Sequence, residues 1–347
     1  MRKKYLKLFL FIATPLLLLL PFWNVAKFFR SIVLQPNKTG IATIDLYDAS
    51  RDRPIVTEIW YPVDKEAPAK TAAGFWVRCD EARDAPISVQ KEKYPLILIS
   101  HGHTGDRFNI SWLAEILTVN GYIVAAMDHF GNTWNNKIPE YFTRPWERPK
   151  DISFVIDQLL AHPTFGSKID QKKIGFAGYS LGGATGIWIA GAVASNLSNE
   201  EIAQACYKDL SNIVSMNVIE QTNFDEARHN FGDKRVGAFL LMAPALGWLF
   251  DKDSLQSINS PIFIVAAQTD KVAPMDSNAK HFAMLLGKAT LKIISGDADH
   301  YVFLNRASQL GKRLLEPRLT EDRSTLGRQK IHEDIAKNAI EFFDKHL

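Results

Sequence analysis

Six short, continuous apolar runs constrain this chain more than any other feature: residues 95–100, 122–127, 173–177, 236–242, 261–267 and 289–294. Runs of this length, rich in β-branched residues and lacking polar alternation, suit strands buried on both faces, as in a parallel sheet. Helix-period patterns lie between and after them, at 109–119, 151–161, 181–194, 277–286 and 329–343. Two earlier runs, 40–47 and 55–63, alternate apolar with polar residues, and the polar stretch Asp48 to Pro54 between them reads as a hairpin turn. The expected fold class is therefore α/β: a mostly parallel central sheet covered by helices on both faces, opened by an N-terminal antiparallel hairpin. At 347 residues with 46% hydrophobic and 23% charged side chains, the chain has ample material for a large core, which excludes a disordered or fibrous protein. No repeat or linker divides it, so residues 36–347 are expected to form a single domain.

One stretch breaks the rhythm. Residues 195–234 separate a helix from the next strand by far more than an αβ connection needs. Their content is helical in pattern, and a helical cap over a site is the expectation; a surface excursion is the alternative.

The N-terminus is distinct in charge. Arg2, Lys3, Lys4 and Lys7 precede an uncharged run from Leu8 to Trp23 rich in leucine and phenylalanine. This is the pattern of a secretory signal peptide or, uncleaved, of a membrane anchor, so residues 1–26 are read as an export segment and the body as periplasmic or secreted. Those four cations account for the net charge of +3; the rest of the chain carries one net negative charge. The body therefore has no general electrostatic basis for binding nucleic acid. Two cysteines, Cys79 and Cys206, are too few for a metal cluster or a disulfide scaffold; their pairing is left open.

Chemistry is concentrated at strand ends. Gly178-Tyr179-Ser180-Leu181-Gly182 falls where the strand 173–177 meets the helix beginning at Leu181. A G-x-S-x-G there makes a nucleophile elbow, with glycines where side chains would strike the neighbouring strand or helix. A serine hydroxyl needs an adjacent base that is itself oriented by an acid, and the order Ser, acid, His suits this arrangement. Asp270 follows the strand 261–267, and His300 lies in the loop after the strand 289–294. Asp128 precedes the serine, and Asp297 and Asp299 are too close to His300 in sequence to orient its ring, so these are weaker candidates. His162, His229, His281, His332 and His346 read as surface or packing residues. After the strand 95–100, Ser100-His101-Gly102-His103-Thr104-Gly105 forms a glycine-rich turn whose His103 N–H, with the N–H of Leu181, is placed to bind an oxyanion. A metal pair at His101 and His103 is the competing reading, but no nearby carboxylate or cysteine cluster completes such a site, so metal: none and cofactors: none. Phe130, Trp134, Tyr141, Phe142, Trp146, Trp248, Phe250, Tyr301 and Phe303 make the candidate pocket loops aromatic and favour an apolar acyl or aromatic substrate over a sugar or phosphate.

Several ordered segments carry a resemblance. Thr39-Gly-Ile, Leu46-Tyr-Asp48, Arg51-Asp-Arg-Pro54, Ile59-Trp-Tyr-Pro62, Tyr94 to Gly102, Gly121 to His129, Arg148-Pro-Lys-Asp151 and the closing Ile331-His through Phe343 are similar to the platelet-activating-factor acetylhydrolase / predicted dienelactone hydrolase group of α/β-hydrolases. The resemblance implies an α/β-hydrolase fold, Ser180 as nucleophile, His300 as base, an oxyanion hole at His103 and Leu181, and no cofactor. Two departures stand out. Lipid-cleaving members carry their acid after the strand that follows the nucleophile, where this chain reads Leu241-Met-Ala-Pro-Ala-Leu246, so Asp270 must serve. Dienelactone hydrolases use cysteine where this elbow has serine. The expectation is an exported serine carboxylic-ester hydrolase acting on a small-molecule or lipid ester, with membrane contact only through an uncleaved N-terminus. The alternatives are a hydrolase-fold binding protein without chemistry and a dienelactone or other small-ester hydrolase.

Overall fold

The computed structural model describes residues 32–195 and 197–347. The expected export segment lies outside them. Val33–Leu347 form one unit built on a single sheet. In chain order its strands are β1 (Lys38–Asp48), β2 (Arg53–Tyr61), β3 (Lys70–Thr71), β4 (Asp80–Arg83), β5 (Tyr94–Ser100), β6 (Ile123–Met127), β7 (Ile169–Tyr179), β8 (Val236–Met242), β9 (Ile262–Ala267) and β10 (Ala289–Ile294). Their order across the sheet is β10-β9-β8-β7-β5-β6-β2-β1-β4-β3. From β6 to β10 all neighbours are parallel, while β1 and β2 form an antiparallel hairpin in which Gly40 faces Tyr61 and Asp48 faces Arg53.

Burial follows the sequence pattern. Every residue of β6 and β9 is buried, whereas β1 alternates along its second half, as a strand with one solvated face should. The sheet's edge at β3 and β4 was not legible. Asp80–Arg83 is polar and joins by running parallel to β1, a partner far away in sequence.

Helices cover both faces, as adjacent residues of β7 demonstrate. A side chain on Gly175 would strike Phe343 of the helix Arg328–His346, whereas its neighbour Phe176 lies against Gly186 of the helix Leu181–Ile189. Successive strand residues point to opposite faces, so these two helices flank the sheet. Helix Leu181–Ile189 is shorter than expected. Gly191 adopts φ +107° and ends it, and Ala194, expected inside it, instead bridges to Phe250. The helix Glu147–Ala161 starts earlier than expected because Pro149 sits in its first turn, where the missing N–H costs nothing. The stretch beyond Leu197 folds into short helical pieces, Asn199–Leu210, Met216–Glu220 and Phe224–Arg228. Cys79 is buried and Cys206 half-buried, and both are free thiols. Among the described residues no helix is long and apolar enough to cross a membrane.

Candidate active site

The elbow between β7 and the following helix is sterically forced. A Cβ on Gly178 would sit 2.1 Å from the Gly182 carbonyl oxygen, and one on Gly182 would sit 2.0 Å from that of Ser100. Ser180 between them adopts φ +57° and ψ −116°, a conformation that a non-glycine residue enters only under constraint. The constraint is visible: Ser180 N–H donates to Met242 O at 2.9 Å, and Ser180 O accepts from Gly183, Ala184 and Ala245.

Asp270 and His300 converge on this serine from the ends of β9 and β10. Asp270 Oδ1 accepts from the N–H groups of Val272 and Ala273, both at 2.8 Å, which fixes the carboxylate. Its Oδ2 lies 2.6 Å from His300 Nδ1, and His300 Nε2 lies 3.0 Å from Ser180 Oγ. A carboxylate only accepts, so Nδ1 carries the proton and Nε2 is left to take one from the serine hydroxyl. Tyr179, whose ring lies 5.0 Å from the imidazole, donates its hydroxyl to His300 O at 2.9 Å and anchors the loop. The other acids are occupied elsewhere: Asp128 with Arg107, Asp297 with Thr325, and Asp299 as the cap that receives Tyr301 N–H.

Ser180 opens on a cavity of about 230 Å³ that His103 and Leu181 also line. Its walls are mainly apolar, formed by Phe142, Trp146, Leu246, Trp248 and Leu249 together with Ile202, Leu210 and Phe224 from the 199–228 helical pieces. Of the aromatic residues marked in the sequence, Phe142, Trp146 and Trp248 therefore reach the cavity. Phe130 and Tyr141 instead pack on Arg53, and Phe250 belongs to the core with Trp188 and Phe282. Phe303 lies behind Tyr179, Tyr301 stands edge-on to His300, and Trp134 lines a separate groove with Phe75 and Asp106.

A profile for the family described as platelet-activating factor acetylhydrolase, isoform II, matches residues 69–138. Cutinase est1 of Thermobifida alba is 28% identical over 127 residues, covering 30% of this chain and 40% of the cutinase. The bis(hydroxyethyl) terephthalate hydrolase of Streptomyces coelicolor is 22% identical over 205 residues, covering 59% of this chain and 49% of that one. The chain thus spans less than half the length of both curated relatives. A solved ferulic acid esterase from Streptomyces cinnamoneus has the same fold, with a TM-score of 0.63 at 20% identity over 90% of this chain and 91% of that one. The fold is that of an α/β-hydrolase.

A second Ser–His–Asp alignment was not legible in the sequence. Ser100 Oγ lies 2.8 Å from His129 Nε2, and His129 Nδ1 lies 2.8 Å from Asp151 Oδ2. All three side chains are fully buried, so this set is no rival nucleophile. Arg53 grips Asp151 through two hydrogen bonds of 2.7 and 2.8 Å. Burial opposes ionisation of Asp151, but Arg53 and His129 outweigh it and hold the carboxyl well below its usual range. Burial keeps His129 neutral, with its pKa near 4. The resemblance segments Arg51-Asp-Arg, Asp128-His129 and Arg148-Pro-Lys-Asp151 converge here; as sequence they gave no sign that they meet. His101 uses both ring nitrogens inside the protein, Nδ1 toward Gly102 O and Nε2 toward His129 N–H, so it is not laid out as a free metal ligand beside His103.

Proposed function

We propose that this protein is a serine carboxylic-ester hydrolase that works through an acyl-enzyme. The alignment Asp270–His300–Ser180 opening on the cavity carries the reading. Ser180 Oγ attacks the ester carbonyl carbon while its proton passes to His300 Nε2. The carbonyl oxygen becomes an oxyanion and is met by the N–H groups of His103 and Leu181, the latter at the start of a helix where an N–H has no intrahelical partner. Collapse breaks the bond to the alcohol, which takes the proton from His300, and the acyl group stays on Ser180. Water then repeats the sequence: His300 takes its proton, hydroxide adds to the acyl carbon, and the acid leaves as Ser180 regains its hydrogen. Asp270 holds the imidazole in the required tautomer and stabilises its charged form.

Cavity size and lining select the substrate. About 230 Å³ between bulky aromatic walls suits a short acyl chain or one aromatic ring. The similarity to a cutinase, a bis(hydroxyethyl) terephthalate hydrolase and a ferulic acid esterase is compatible with such a group, as is a short-acyl phospholipid. The basic and then apolar N-terminal sequence supports export to the periplasm or medium.

The test is hydrolysis of p-nitrophenyl esters from acetyl to palmitoyl by the protein and its Ser180→Ala variant. Turnover that peaks at short chains and is lost in the variant by about four orders of magnitude or more is the expected result. A long-chain optimum contradicts the compact pocket. No turnover at any length by folded protein brings forward a hydrolase-fold binding protein.

A further inference from the structure

Arg148 is buried, yet its partners are neutral oxygens and not a carboxylate. Nη1 donates to His101 O at 2.6 Å, and Nη2 donates to Gly102 O at 3.3 Å and to Asn132 Oδ1 at 3.1 Å. The same Asn132 oxygen accepts Thr104 N–H at 3.0 Å. Gly102 O has two further donors, Gly105 N–H at 3.2 Å and His101 Nδ1–H at 2.7 Å, the latter's tautomer fixed because His101 Nε2 accepts from His129 N–H. One guanidinium and one imidazole thus hold consecutive carbonyls of the turn 101–104 toward the interior.

The consequence lies across the peptide bond. In a trans peptide the C=O and the following N–H point in opposite directions, and no cis bond occurs among the described residues. Pinning Gly102 O inward therefore turns His103 N–H outward. Gly102 is also close to the nucleophile: a Cβ on it would lie 3.3 Å from Ser180 Cβ. The outward N–H thus faces the place where an ester carbonyl would sit. A cation hydrogen-bonded to the carbonyl oxygen also polarises that peptide, which makes its N–H a stronger donor.

Resting on the hydrolase reading above, we infer that Arg148 is the positioning residue of the oxyanion hole, holding and polarising the Gly102–His103 peptide so that His103 N–H meets charge only as it develops. The buried Ser100–His129–Asp151–Arg53 set serves it by fixing His101. Holding a guanidinium among carbonyls is costly: burial, with Arg53 adding to it and Asp151 opposing it, lowers its pKa to about 9. Arg148 touches no substrate; it acts through the peptide.

The test compares Arg148→Lys, Arg148→Gln and Asn132→Ala with the wild type on p-nitrophenyl butyrate. Rates are expressed per active site titrated with a phosphonate. Affinity for a trifluoromethyl ketone, which forms an oxyanion on the serine, is measured in parallel. Removing an oxyanion donor typically costs 10²–10³ in kcat, so misaligning one by Arg148→Gln is expected to lower kcat about 10- to 100-fold with KM nearly unchanged, and to weaken the ketone by a similar factor. Arg148→Lys, which keeps the charge but cannot span two carbonyls, should fall between, and Asn132→Ala should lose about 3- to 10-fold. A purely structural role would lower the titratable fraction and leave kcat per site and ketone affinity intact. That result in folded Arg148 variants overturns the proposal; if both fail to fold, the same result in Asn132→Ala overturns it. A wild type that neither hydrolyses esters nor binds the ketone sinks the hydrolase reading and this inference with it, whereas variants matching an active wild type sink the role of Arg148 alone.

Discussion

Ser180 and its glycine neighbours show how much of a site can be carried by missing side chains. The φ of +57° at Ser180 costs on the order of 1–3 kcal/mol, sustained because the flanking chain has no room to relax. Gly182→Ala is therefore expected to damage both fold and chemistry, since its methyl would lie 2.0 Å from the Ser100 carbonyl oxygen. A loss of at least about 2 kcal/mol in stability and a sharp drop in kcat per folded molecule should follow, read by denaturant unfolding and site titration. At this scale the sequence was informative wherever chemistry and spacing coincide. Ser180, Asp270 and His300 each follow a recognisable strand, and the structure brings them together. Arg148, His129 and Asp151 were not legible as a group, because nothing local in Arg148-Pro-Lys-Asp151 indicates that it folds beneath residues 101–104.

Among the elements, the 199–228 pieces contribute Ile202, Leu210 and Phe224 to the cavity at Ser180. Helix Asn199–Leu210 begins with a capping box, Ser198 Oγ accepting Glu201 N–H while Glu201 returns to Ser198 N–H. Loss of that cap through Ser198→Ala should cost about 1 kcal/mol locally. Because this helix places Ile202 and Leu210 on the cavity, the expected signature is faster proteolysis within 199–228 and a raised KM, with kcat and the melting of the sheet little changed. Equal proteolysis of variant and wild type would show that the helix does not open on its own. The sequence revealed this insertion by its excess length but not by its contacts, which depend on tertiary packing. Strand existence was clearest where both faces are buried, and least clear for β3 and β4, whose polar residues join the edge of the sheet only through a distant partner.

The whole molecule carries a pH dependence that its buried groups specify. Burial holds His101, His103, His129 and His332 below the ordinary histidine value, with His103 and His129 near 4 and His332 near 3. Each favours the fold while neutral. Its contribution is complete above about pH 6.5, where the unfolded chain is also neutral, and declines as pH falls from there toward its folded value. Asp106 and Glu115 act oppositely, since burial raises them to about 6 and about 7, and their contribution fades as pH rises through those values. The histidines outnumber the carboxyls, so stability should fall steadily from pH 6.5 to 4 in urea unfolding. Glu115→Gln should stabilise the protein at pH 8.5, by on the order of 3 kcal/mol at most, with much less gain at pH 4.5; a pH-independent change would contradict the assignment. Globally, the parallel sheet and the order of chemical groups along it were legible because they follow hydrophobic period and strand ends. The buried ionic layer was not, because it is assembled from β2, the end of β6 and the helix Glu147–Ala161. Whether Ser180 is an activated nucleophile is read by fluorophosphonate labelling followed by peptide mass mapping. A single adduct on Ser180 is expected, abolished in Ser180→Ala and strongly slowed in His300→Ala. An adduct on another residue, or equal labelling of all three proteins, would contradict it.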